Sequence, residues 1–150
     1  MRRISALVLG LSLLCLAAEA EAAAAKLRKL VGTATASNGV VTAVPSGTTV
    51  IDTESIKCAN ASGCLIEAQV IVQAIASSAG PWQICVLVDG NQAQPGCPVQ
   101  GSLPTSNYVV GTLRTNTLVA TGTHTVQTEI VMPSAGNYAA WQADYSVYKN

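Results

Sequence analysis

Phenylalanine is absent, and two Trp and four Tyr make up the entire aromatic complement, 4% of 150 residues. A core built this way must rest on Val, Ile, Leu and Ala. Ionised side chains are also scarce, at 11% against ~25% in an average soluble protein. Eight basic residues cancel eight acidic ones. With no cationic excess to neutralise phosphates, nucleic-acid binding is not expected. Histidine is nearly missing too: His124 is the only one. What is abundant is apolar character, 49% of the chain, too much for intrinsic disorder. At ~100–200 residues per domain, 150 residues make one domain.

Long apolar runs are confined to the start. Arg2 and Arg3 precede an apolar run from Ala6 to Ala18, and Ala18-Glu19-Ala20-Glu21-Ala22 with Ala23, Ala24 and Ala25 follows. A positive start, an apolar middle and a small-residue A-x-A zone read as a secretory signal peptide of the bacterial type. Thirteen residues at ~1.5 Å each do not span ~30 Å of hydrocarbon, so a membrane anchor is not expected. Residues 1–25 are assigned to the signal peptide and its cleavage region, with the boundary between 20 and 25. Residues 26–30 form a tail, and 31–150 a single domain. The mature protein is expected to be secreted or periplasmic, with no membrane insertion.

Export decides the sulfur chemistry. Cys15 falls in the leader, leaving Cys58, Cys64, Cys85 and Cys97. An even count in an oxidising compartment reads as disulfides. Of three pairings, Cys58–Cys64 and Cys85–Cys97 are favoured, because each pair is local and brackets turn-rich sequence. A zinc site would need C-x-x-C spacing and more His, so no metal or other cofactor is expected.

From Val31 onward Thr, Val, Ile and Ser dominate, and turn clusters recur every ~8–14 residues. Such residues suit a pleated sheet better than a helix. Period-2 alternation places Ile66, Ala68, Val70, Val72, Ala74 and Ala76 on one face, and Trp82, Ile84, Val86 and Val88 on another. His124, Val126, Thr128 and Ile130 form a third inward set, and Ala139, Trp141, Ala143, Tyr145 and Val147 a fourth. About eight strands follow: 30–36, 40–44, 48–57, 64–76, 82–89, 107–114, 117–131 (bent at Gly122) and 137–149. The fold class is all-β, an antiparallel two-sheet β-sandwich, jelly-roll-like or Ig-like. Residues 91–106 read as a long surface loop, pulled across the outside of a sheet by Cys85–Cys97.

Catalytic sets are lacking. His124 lies on an apolar face and reads as a packing residue, and the thiols are committed. No G-x-S-x-G elbow, phosphate loop or H-E-x-x-H occurs. Asp52 and Glu54, two apart on a strand, stand roughly 7 Å apart, near the spacing of an inverting glycosidase. A hydrolase is therefore a remote alternative; the two carboxylates are expected to face solvent. Asp89-Gly90-Asn91 offers too few oxygens for calcium.

Two surfaces remain. Tyr138, Gln142, Asp144, Ser146 and Tyr148 fall on one side of the last strand, and suit a sugar ring or another protein. The weakly charged exterior and its strand edges suit self-association. The expectation is an exported, non-enzymatic protein acting by surface binding or self-assembly, with a homo-oligomer and a glycan or protein ligand as the partner classes. The alternative is a small carbohydrate-binding module using Tyr138, Tyr148 and Trp82.

Overall fold

The computed structural model describes residues 30–149. The expected signal peptide, its cleavage region and residues 26–29 of the tail lie outside the described residues. Within them the chain forms strands β1 (Leu30–Asn38), β2 (Thr42–Val44), β3 (Gly47–Cys58), β4 (Cys64–Ala76) and β5 (Gly80–Val88). Then follow β6 (Asn91–Gln92), β7 (Val99–Leu103), β8 (Val109–Val119), β9 (Gly122–Met132) and β10 (Gly136–Lys149). All pairings are antiparallel. One sheet, here sheet A, runs β1-β10-β4-β8, with β2 also on β10. The other, sheet B, runs β3-β9-β5-β6, with β7 also on β5. The fold is an all-β two-sheet sandwich.

Alternation in sequence becomes two facing apolar layers. From sheet A, Ile66, Ala68, Val70, Val72 and Ala74 point inward; from sheet B, Trp82, Ile84, Val86, Val126 and Ile130 meet them. Val70 and Val72 are fully buried, each contributing about 1.5–3 kcal/mol. Trp82 is 1% exposed and lies flat against β8. A Cβ at Gly111 would come within 2.5 Å of its ring, so only glycine fits that place in β8. Trp82 is thus a core residue and offers no ring to a ligand.

Both expected disulfides are present. Cys58–Cys64, with a Cα separation of 5.8 Å, ties the end of β3 in sheet B to the start of β4 in sheet A. The turn between them needs Gly63 at φ +84°, where a side chain would strike the carbonyl of Val119. Cys85–Cys97 fastens the segment after β5 to the outer face of sheet B and buries Cys85.

Three boundaries differ from the sequence reading. Residues 91–106 contain two short strands, β6 and β7, both paired with β5. Sheet pairing with β4 carries β8 through to Val119, so the break comes at Ala120-Thr121 and not after residue 114. In β10 the register slips between Tyr138 and Ala140. Ala139 is the extra residue of this bulge, so Tyr138 stands opposite Ala74 and turns into the core, 7% exposed.

Candidate functional site

The outer face of sheet A gathers the polar side chains. Register aligns them in rows across four strands. Thr35 on β1, Asp144 on β10, Gln69 on β4 and Arg114 on β8 form one row. Thr33, Ser146, Glu67 and Asn116 form the row on one side; Ser37, Gln142, Ile71 and Thr112 form the row on the other. With strands ~4.8 Å apart and same-face residues ~6.8 Å apart, the rows make a platform roughly 15 Å across.

Hydrogen bonds fix the middle row. The Thr35 hydroxyl donates to Asp144 Oδ1 at 2.9 Å, and the Gln142 amide donates to Asp144 Oδ2 at 2.8 Å. The Arg114 guanidinium donates to Gln69 Oε1 at 3.1 Å. Each polar head is held by a neighbour yet keeps unused donors or acceptors toward solvent. Glu67, Gln69, Arg114, Asp144, Ser146 and Tyr148 enclose a cleft of about 120 Å³. A shallower groove of about 420 Å³ continues over Ile71, Gln73, Val110, Ala140 and Gln142 toward the end of β1.

Of the ligand-binding candidates, Gln142, Asp144 and Tyr148 share this face. Tyr138 does not, because the Ala139 bulge reverses its direction. Sequence reasoning missed Glu67, Gln69, Arg114 and Thr35. Their alternation was visible, but which strands lie side by side was not.

The carboxylates Asp52 and Glu54 correct a second expectation. They face inward, with Ile56, at the flank where edge strands β1 and β3 oppose each other. The Tyr145 hydroxyl donates to Asp52 Oδ2 at 2.7 Å and lies 2.7 Å from the Thr128 hydroxyl. Burial, reinforced by the bond to Asp52, pushes the Tyr145 phenol above its ordinary range. The arrangement keeps Tyr145 a neutral donor, and the carboxylate satisfies a buried hydroxyl.

His124 is also more than packing. Its Nδ1 lies 2.7 Å from Asp89 Oδ2, and its Nε2 lies 2.9 Å from the carbonyl of Ala120. Asp89, at φ +52° in the β5–β6 turn, accepts from the Thr125 amide as well. The bond to Asp89 holds the imidazole pKa above its ordinary value, and the bond to His124 holds the carboxylate below its own.

No family model and no curated protein matches the chain. Among solved structures, the VP2 subviral particle of infectious bursal disease virus aligns with a TM-score of 0.53 at 11% identity, over 81% of this chain and 33% of that one. The T=1 particles derived from the same virus give 0.50 at 17% identity, over 83% and 32%. A family 35 carbohydrate binding module from Clostridium thermocellum gives 0.36 at 6% identity, over 75% and 98%. The chain spans about a third of the length of the capsid chains. At these identities the likeness shows the sandwich fold and nothing of its chemistry.

Proposed function

We propose that this is an exported, non-enzymatic β-sandwich that works by binding through its surface, and that the outer face of sheet A takes a neutral glycan. The row Thr35–Asp144–Gln69–Arg114 carries this reading. Sugar hydroxyls both donate and accept, and this row presents a carboxylate, an amide, a guanidinium and a hydroxyl on one flat surface. Tyr148 stands at its margin with a ring that can cover a pyranose face. Two disulfides, and no helix among the described residues long and apolar enough to cross a membrane, fit release outside the cytoplasm after removal of the leader.

Glycan-array screening of the purified chain tests the reading. Binding is expected to weaken about tenfold, or about 1.4 kcal/mol, in Tyr148→Ala and again in Asp144→Ala, with the fold intact by circular dichroism. Binding that survives the double substitution, or an array with no binder, overturns it.

A further inference from the structure

A sandwich has four sheet edges, and each exposes backbone donors and acceptors that can pair with another chain. Three of them are guarded here. On β8, Asn116 exchanges two backbone hydrogen bonds with Gln94, and the Gln100 side chain caps the amide of Thr112. Sheet B ends on one side in β6 and β7, of two and five residues. On its other side β3 carries a bulge between Val50 and Asp52, inward-pointing Asp52 and Glu54, and Lys57. Bulges, charges and short strands are the devices that keep edges from pairing.

The edge of β1 has none of them over its length. Its nine residues include no charge and no proline. Beyond an irregularity at Val31, its register with β10 is unbroken from Gly32 to Asn38. Apolar side chains flank both of its ends: Leu30 and Val31 are each 49% exposed, and Val40 and Val41 are 68% and 59% exposed. Those are four of the ten large hydrophobics that the described residues leave exposed.

We infer that β1 pairs antiparallel with β1 of a second copy of this chain, making a closed two-fold dimer. The placement of the apolar ends selects this occupant. Antiparallel pairing about a two-fold axis brings the start of one strand against the end of the other. Leu30 and Val31 of one copy then approach Val40 and Val41 of its partner, and all four leave water in each half of the contact. For the outer faces to stay on one side, the axis must pass through a residue, because side chains alternate with a period of two. Thr35 or Ala36 satisfies this, and both put the apolar ends together. The two copies of sheet A then form one sheet of eight strands, β8-β4-β10-β1 and its mirror order.

This surface is distinct from the platform, so the inference stands or falls apart from the glycan reading. Sedimentation equilibrium of the purified chain over a wide concentration series gives the mass, expected to be that of two chains. Val31→Lys with Val40→Lys is expected to halve it to one chain, by setting cations against cations. Val31→Glu with Val40→Glu is expected to do the same. All four positions are solvent-exposed, and unchanged thermal midpoints check that both variants fold. An equimolar mixture of the two variants is expected to recover the two-chain mass, since Lys then meets Glu across the axis. A wild-type chain that stays single at the highest concentration overturns the proposal. So does a pair that persists in both charged variants, a mixture that stays single, or a mass beyond two chains. Glycan binding by the single-chain variants is read separately, and its loss there bears on the platform alone.

Discussion

His124 makes the protein's stability respond to pH in a way that one titration can isolate. Both ring nitrogens face groups that only accept: a carboxylate at 2.7 Å and a backbone carbonyl at 2.9 Å. Neutral imidazole carries one proton and satisfies one of them; imidazolium satisfies both. The folded pKa of His124 therefore lies above its ordinary 6.5, with the Asp89 bond as the main cause. Its contribution is complete below about 6.5 and is lost as pH rises through the folded value. Asp89 is shifted the opposite way, down from 3.8. Its contribution is complete above that value and is lost as pH falls through the folded one. The pair is at full strength between about 3.8 and 6.5. A charge-assisted hydrogen bond contributes about 1.5–3 kcal/mol when shielded. The Asp89 side chain is 48% exposed, and solvent reduces the figure to about 1 kcal/mol. In a domain of this size that is about 4 °C of melting temperature. Because the chain has one histidine, no other side chain with an ordinary pKa titrates between pH 5 and 8. Thermal unfolding at pH 5.5 and pH 8.5 is expected to show the midpoint falling in the wild type and flat in His124→Gln. A wild-type midpoint that does not fall, or an imidazole pKa below 6.5 by NMR, refutes the reasoning.

Other consequences follow from the packing. Tyr145→Phe strips the donor from Asp52 and the partner from buried Thr128, and should cost about 2 kcal/mol in urea unfolding. Adding Thr128→Val should then cost less than its effect alone, because no hydroxyl is left waiting for a partner. Gly111→Ala drives a methyl into the Trp82 ring and should cost about 1–3 kcal/mol, read as a lower melting temperature. Replacing Cys85 and Cys97 by serine opens a loop spanning 12 residues and should cost about 3 kcal/mol, with new protease cuts between residues 93 and 103.

The sequence was most legible where strands are central and regular. In β4 every second residue from Ile66 to Ala76 is apolar, and all six are buried. Local disulfide pairs were readable for a similar reason, because each closes a short turn-rich loop. Legibility failed at bulges and at partners distant in sequence. Nothing in Tyr138-Ala139-Ala140 marks which alanine leaves the ladder, yet that choice turns Tyr138 from surface to core. Asp52 and Glu54 share a side with Ile56, a hint that they face inward, but the buried hydroxyl that makes this tolerable comes from Tyr145, 93 residues away. Arg114 and Gln69 carry no local sign of being neighbours, since only the pairing of β4 with β8 joins them.

The Ala139 bulge acts as a one-residue insertion whose effect is confined to the strand's first few positions. Deleting that single codon would leave Trp141 and everything after it in place while exchanging the sides of Asn137 and Tyr138. A tyrosine would move onto the platform, and the void beside Ala74 would receive an asparagine. The same short stretch thus encodes two surfaces, one aromatic and one plain, separated by three nucleotides.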